Sequence, residues 1–537
     1  MPEYLAPGVY VEEVDTGPRP IEGVSTSTAG FVGETERGPA RPRLITSWQD
    51  YQRWYGTYID QPPLNATNCY LPYAVRGFFE NGGQRVFVAR AVGKAAIAAL
   101  ANLPGAAGAT TVQAIGKGAW GNNIRILVKP ASAAQVAAAN TPVASWFRIQ
   151  VIYYSTGVTA NLVDPTDPKQ LANPNREEPD VFEDFDNLSG DHTQTNFAMT
   201  VISGASTLIE VVTCPGPPNQ AAAWPGVPLA GGTYVAAAED DYIDANTTET
   251  EAKVGLAALN SIREISLAAI PDEVGINQLA SDLQDACDSM RDRFAIHSDL
   301  TINGSPDPSS LRPLRDSTYG AFYYPWIRVV VSHTPDGTKL VPATGHVTGI
   351  FARTDVDRGV HKAPANEVVM GILGRDLNGN RKPLSQTLNK REQDLLNPRG
   401  VNVIRDFRSD GRDIRVWGAR TMTSDAMWKY INVRRLFIFI EQSIDRGTQW
   451  VVFEPNSEPT WIALRTSISN FLRTVWRNGA LMGTTPEEAF FVKCDRTTMS
   501  QDDFDNGRLI CLIGVAPVKP AEFVIFRISQ KTVDAQS

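Results

Sequence analysis

A chain of 537 residues is longer than one hydrophobic core can organise, so two to four domains are expected. With 42% hydrophobic and 20% charged residues it has enough apolar material for packed cores. The formal charge of −9 excludes a surface given over wholly to nucleic acid or anionic lipid.

The opening stretch MPEYLAPGVYVEEV carries acidic residues and prolines where an export signal needs a basic start and an apolar run. Val9 and Val11 alternate with Tyr10 and Glu12 as in a strand, and Asp15 to Pro20 breaks the pattern. A strand so near a terminus has few local partners and must pair with its own domain or with another molecule. From Ala29 to Val92 the pattern is α/β. Gly30 to Gly33 reads as a buried strand, Ser47 N-caps a helix ending at Tyr55, a second helix covers Ala74 to Glu80, and Arg85 to Val92 is a strand.

Composition then changes. Lys94 to Asn140 is rich in Ala and Gly with two short strand signals, Trp146 to Tyr154 is a strand, and Asn161 to Asn187 is polar, proline-rich and acidic. This reads as a β-rich insertion with long outer loops. Regular patterning returns near Val254. Ile265 to Ile270 and Phe294 to Ile296 are strands, Ile276 to Arg291 is a helix, and Gly320 to Val331 is one long aromatic strand. Helices over Tyr430 to Arg446 and Ser457 to Asn478 each carry an apolar stripe, the first through Val433, Phe437, Ile440 and Ile444, the second through Trp461, Leu464, Ile468, Leu472 and Val475. Trp450 to Phe453, Arg508 to Val515 and Glu522 to Ile528 are expected strands. No apolar stretch reaches the ~18 residues of a membrane span, and no solenoid or heptad repeat is present.

Motifs for chemistry fail one by one. Gly116, Gly118 and Gly121 form a literal GxGxxG, but a strand follows where a dinucleotide site needs a helix, so the stretch reads as a hairpin turn. No GxxxxGK[ST] or GxSxG occurs. Cys69, Cys214, Cys287, Cys494 and Cys511 form no CxxC, and they read as buried reduced thiols of a reducing cytoplasm. His192, His297, His333, His346 and His361 stand apart from them and from one another. His346 and His361 are expected to flank a loop holding Asp355 and Asp357, and Glu177 to Asp191 reads as a solvated acidic loop, since Leu188 breaks an EF-hand pattern. No catalytic residue, cofactor or metal site is therefore assigned.

Five stretches in one order carry a resemblance. They are Tyr4 to Glu13; Ala74-Val75-Arg76-Gly77-Phe78-Phe79-Glu80-Asn81-Gly82-Gly83 with the Arg85 to Val88 strand; Tyr323-Tyr324-Pro325-Trp326; Thr348 to Asp355 continuing to Ala365; and Tyr430 to Leu436 with Trp450 to Asn456. Together they resemble the contractile tail sheath family of phages and injection systems. The resemblance implies an α/β multidomain subunit with a discontinuous core from the N- and C-terminal parts, a β-rich protruding insertion and extended terminal arms. The corresponding segments are 1–22 (arm), 23–92 (core, first part), 93–250 (insertion), 251–393 (middle α/β domain), 394–516 (C-terminal core facing the tube) and 517–537 (arm).

It further implies a helical homo-oligomer of stacked rings around an inner tube protein, capped by baseplate and tail-terminator proteins, without nucleic acid or membrane insertion. Assembly in the bacterial cytoplasm, in a phage tail or an injection particle, follows from the same likeness. Carried over, the arms that add strands to neighbouring sheets use Val9, Tyr10, Val11 and Val14 at one end and Phe523, Val524, Ile525, Phe526 and Ile528 at the other. The helix Ser457 to Asn478 would face the tube through Arg465, Arg473 and Arg477. With no nucleotide chemistry, the work of contraction would be stored in a metastable extended packing. The rival readings are a non-contractile tail or capsid-like assembly protein and an α/β enzyme of unknown substrate.

Overall fold

The computed structural model describes residues 20–527 apart from 61–66, 133–145, 158–161, 220–224, 245–252, 302–305, 336 and 374–381. Contacts divide the chain into two compact units. The larger takes Ser25–Arg358 and Ala363–Arg434; the smaller takes Arg435 onward with Gly359–Lys362 and the stretch ending at Val24.

In the larger unit, β1 (Ala29–Glu34) is buried at every residue. After β2 (Arg43–Ile45), Ser47 caps α1 (Trp48–Tyr55), its hydroxyl accepting the Asp50 N–H at 3.0 Å. Helix α2 (Leu71–Glu80) begins three residues earlier than its apolar pattern suggests. Its first turn is capped from a distance: the Asp272 carboxylate accepts the N–H groups of Tyr70 at 2.6 Å and Leu71 at 3.0 Å. The buried Asn81 ends the helix, its amide donating to the Gly77 carbonyl at 2.8 Å. Strand β3 (Val86–Ala91) follows.

The insertion contributes β4 (Leu100–Leu103), β5 (Thr110–Ala114), β6 (Ile124–Pro130), β7 (Trp146–Tyr153), β8 (Val181–Ser189), β9 (Ile209–Thr213) and β10 (Val227–Pro228). They form two sheets, ordered β4-β5-β9 and β10-β6-β7-β8. Val112, Ile126, Phe147, Ile149, Leu188 and Ile209 share one apolar core with them. The acidic segment expected as a loop is thus mostly strand β8, in which Asp184 faces outward while half-buried Glu183 accepts from the Ser206 and Thr207 hydroxyls. The GxGxxG stretch is not a hairpin either. It carries the chain from one sheet to the other through a 3-10 turn, Ala119–Asn123. Its first glycine is required by packing, since a Cβ at Gly116 would lie 2.1 Å from the Gly38 carbonyl oxygen. Between them lies buried Arg90, donating to the carbonyls of Gly38 at 3.0 Å and Lys117 at 2.7 Å.

Returning to the main body, the chain runs, apart from shorter helices, through β11 (Leu267–Ala269), α3 (Gln278–Met290), β12 (Phe294–Ser298), β13 (Gly320–Tyr324), β14 (Ile327–Val330), β15 (Thr338–Val341), α4 (Thr344–Arg358), β16 (Val401–Asp406) and β17 (Ile414–Val416). Among the described residues the central sheet has eight strands, ordered β17-β16-β13-β12-β11-β1-β3-β2, with β16 through β3 all parallel. The long aromatic strand expected over Gly320 to Val331 is two strands in different sheets, because Pro325 cannot donate to a ladder. The segment between His346 and His361, expected as a loop, is mostly helix α4.

The smaller unit is built on α5 (Ile431–Gly447), inside which the chain passes from one unit to the other, and α6 (Glu458–Arg477). Strands β18 (Phe490–Lys493) and β19 (Leu512–Val515) pair antiparallel. Leu436, Ile440, Trp461, Leu464, Ile468, Leu472 and Val475 form its core with Ile21 and Cys494; the α6 stripe lies wholly in it, whereas of the stripe expected on α5 only Ile440 is a member, with Ile444 packed against it. Trp450 to Phe453 is not a strand. A 3-10 turn covers Gln449–Val451, and Phe453 has a left-handed backbone at φ 70° with a fully exposed ring.

Candidate assembly interface

Residues Val9, Tyr10, Val11, Val14 and Ile528 lie outside the described residues. The chain that leads from the first four is anchored. Ile21 packs against Gly447 in the small unit's core, Gly23 lies under the Phe439 ring, and the Val24 N–H donates to the Ser443 hydroxyl at 3.1 Å. Residues 21–24 therefore run along α5.

At the other end, β19 is followed by a short stretch held against Ala480 to Met482. The Met482 N–H donates to the Ala516 carbonyl at 2.8 Å, and the Val518 N–H to the Ala480 carbonyl at 3.1 Å. Beyond it the chain leaves the core. Phe523, Val524, Ile525 and Phe526 are 70%, 70%, 79% and 83% exposed, and residues 518–527 belong to no strand, contrary to the expectation for Glu522 to Ile528. Four consecutive apolar side chains in water are unfavourable unless something covers them.

Strands β18 and β19 form a sheet of only two strands among the described residues. Two strands are marginal alone and leave an outer edge on each. The outward face carries Phe491, 58% exposed, opposite Gly514, where a Cβ would stand 2.2 Å from the ring. Gly514 is the position that lets the ring lie flat across the sheet.

On α6, Arg465, Arg473 and Arg477 are all exposed on the side away from Trp461, Leu464, Ile468 and Leu472. At 3.6 residues per turn Arg473 and Arg477 are about 40° apart, while Arg465 is turned about 80° from Arg473. Arg465 also adds its positive charge to the field of Asp495, whose carboxyl is held below the usual range chiefly by hydrogen bonds from Thr497. The three arginines expected to face the tube thus reduce to a close pair, with Arg465 turned away from it on the helix.

The larger unit holds polar clusters that the sequence did not reveal. His297 places Nδ1 2.9 Å from Glu273 Oε2 and Nε2 3.2 Å from Gln284 Oε1. His333 Nε2 lies 3.0 Å from the Tyr73 hydroxyl and 3.2 Å from Asp60, which also pairs with Lys339. Asp272 is fully buried, and burial pushes its carboxyl up to about 7 despite three backbone N–H donors. Glu34, next to it, is raised by burial as well, while the Tyr234 hydroxyl donates to it at 2.8 Å. These groups bond one another and backbone atoms, joining segments far apart in sequence. Among the described residues no three His, Cys, Asp or Glu side chains are grouped to hold a metal ion.

Residues 245–422 match the phage tail sheath protein central domain and residues 423–531 the phage tail sheath C-terminal domain, together more than half of the chain. The chain belongs to the phage tail sheath family. The tail sheath protein of Burkholderia phage BcepMu is 30% identical over 165 residues, 30% of this chain and 33% of that protein. That of Salmonella phage ViI is 29% identical over 205 residues, 38% of this chain and 30% of that protein. The matching stretches span from about a quarter to about half of the curated relatives' own lengths. Likeness of fold extends over nearly the whole chain. The helical sheath of the anti-feeding prophage in its contracted state aligns with a TM-score of 0.56 at 23% identity, covering 98% of this chain and 100% of that one. A sheath tail protein from Listeria innocua aligns at 0.55 and 14% identity, covering 93% and 96%. The mixed α/β architecture of this sheath-family chain is therefore that of solved sheath proteins.

Proposed function

We propose that the chain is a structural subunit of a contractile sheath, which polymerises helically around an inner tube and contracts from a metastable extended state to drive the tube through a target envelope. One observation carries the reading. The small unit combines a sheet that is short of strands with an apolar terminal segment that is short of a sheet. Exchange of such segments between copies is β-augmentation, in which main-chain hydrogen bonds link subunits and alternate side chains set register. Repeated head-to-tail, the contact builds a helix when it does not close into a ring.

In this reading Phe523 to Ile528 and Val9 to Val14 are the linking strands, and Arg473 and Arg477 face the inner tube. The β-rich insertion, 93–250, protrudes from the body. The chain performs no catalysis, and the baseplate and a terminator protein close the two ends of a polymer assembled in the bacterial cytoplasm. The energy of contraction resides in the packing. A gain of about a few kcal/mol per subunit, summed along the polymer, suffices to bias two arrangements of rigid bodies decisively.

Removal of the residues before Ile21 tests it, because Ile21 to Val24 would still hold α5. The truncated chain is expected to remain a folded, soluble monomer while the parent forms tubes in negative-stain micrographs. Ordered tubes from the truncated chain would refute the arm.

A further inference from the structure

The β18–β19 ladder runs from Phe490 opposite Val515 to Lys493 opposite Leu512. One further rung sets Cys494 opposite Cys511, close enough for each thiol to act on the ionisation of the other. Both are free thiols. Cys494 is 2% exposed in the apolar core of the small unit, and Cys511 packs against that core half-buried. Residues 495–510 form the connection that the pair closes. Cysteines facing one another across antiparallel strands have Cα separations within the range that a disulfide spans. The remaining three, Cys69, Cys214 and Cys287, belong to the other unit.

We propose that Cys494 and Cys511 are a redox-sensitive dithiol, forming a reversible disulfide across the β18–β19 sheet when the protein meets an oxidising small-molecule disulfide, and thereby fixing the register of that sheet. The thiolate of Cys511, the more exposed of the two, attacks one sulfur of the small disulfide, forms a mixed disulfide and expels one small thiolate. The Cys494 thiolate then attacks the Cys511 sulfur, forms the protein disulfide and expels the second small thiolate. The two cysteine protons end on the two released thiolates; the protein loses two electrons and the small disulfide gains them. Burial keeps both thiols protonated, that of Cys511 pushed up to about 12, so the exchange is slow at neutral pH and quickens as pH rises.

The test exposes the full-length chain to oxidised glutathione at neutral and mildly alkaline pH, followed by acid quenching, alkylation in denaturant and peptide mass spectrometry. Alkylatable thiols are expected to fall by two per chain, with one peptide joining Cys494 to Cys511, faster at the higher pH and reversed by a reductant. Cys494→Ser is expected to stop at a glutathione adduct on Cys511. Separate alkylation of both residues, a stable adduct on the parent's Cys511, or linkage to Cys69, Cys214, Cys287 or a second chain would overturn the proposal. Limited proteolysis within 495–510 should slow on oxidation of the parent and stay unchanged for Cys511→Ser. Equal cleavage of oxidised and reduced parent would overturn the claim on register. If the variants do not fold, the parent's peptide map and cleavage rates decide alone.

Discussion

Gly77 of α2 and His346 of α4 meet so closely that a Cβ at Gly77 would stand 2.2 Å from the His346 Nδ1 atom. The same seam continues on both sides. A Cβ at Gly345 would lie 2.2 Å from the Ala74 carbonyl oxygen, and one at Gly349 2.4 Å from that of Phe78. Two helices therefore pack backbone to backbone through small residues, and the imidazole fills what space is left. Two of the stretches that carry the family likeness, Ala74 to Gly83 and Thr348 to Asp355, are partners in this one contact.

Gly77→Ala should accordingly be costly although alanine favours helices. The methyl has no room against a ring that is itself buried, and overpacking of this kind costs about 1–3 kcal/mol, or more where nothing yields. Gly204 supplies the contrast, being exposed in the helix Ala198–Ala205 with nothing within 4 Å of a built Cβ. Gly204→Ala should stabilise by about 0.5–1 kcal/mol. Urea unfolding of the two variants beside the parent checks both signs. An unaffected Gly77→Ala would mean that the seam is looser than its geometry.

Two buried groups of the larger unit should oppose each other as pH changes. Burial pushes His346 down to about 3, from 6.5, so the native state excludes a proton that the unfolded chain binds between those values. Its contribution is present above 6.5 and is lost as pH falls toward 3. Asp272 is pushed up to about 7, from 3.8, so the native state keeps a proton that the unfolded chain releases. Its contribution is present below 3.8 and is lost as pH rises through 7. Between pH 4 and 6.5 the two slopes, each up to ~1.4 kcal/mol per pH unit, largely cancel. Relative to the parent, His346→Gln should make stability fall more steeply with rising pH in that window, and Asp272→Asn should make it rise. Unfolding midpoints measured across pH 4–7 decide, and parallel profiles for all three proteins would contradict both assignments.

What was legible in the sequence was local. Ser47 before an amphipathic run and the stripe of α6 fold as their spacing dictates, because one buried face is enough to specify a helix. The failures are non-local or degenerate. Trp450 to Phe453 is apolar without being buried as a strand, and a short apolar run cannot distinguish the two. The cap of α2 comes from Asp272, more than two hundred residues away, and the Cys494–Cys511 pair exists only once the β18–β19 register is known. At the candidate interface, exposure of the three arginines followed from helical phase.

The exposed terminal segment makes a sharper test of linkage than truncation alone. Phe523→Asp with Ile525→Asp places two carboxylates where a strand would bury alternate side chains, while leaving the small unit's core untouched. Thermal unfolding of the isolated chain should match the parent within about 0.5 kcal/mol, as for surface substitutions in general. Tube formation, read by sedimentation and negative-stain microscopy, should be lost. Tubes from the double variant would show that these side chains do not enter a neighbour's sheet.

Charge reversal separates the arginines of α6 from one another. Arg473 and Arg477 stand about one turn apart on an exposed face, so Arg473→Glu with Arg477→Glu inverts a compact patch and should weaken any surface of acidic partners it meets. Arg465→Glu lies off that patch, adds a negative charge to the field of Asp495 and should act by weak repulsion within one subunit. If α6 lines the inner tube, the double variant forms sheaths alone but not around tubes, and the defect deepens with falling ionic strength because like charges are then less screened. The single variant should assemble in both settings with somewhat lower stability. Tube-filled sheaths forming normally from the double variant at low salt would remove the pair from the tube-facing surface, whatever the arms do.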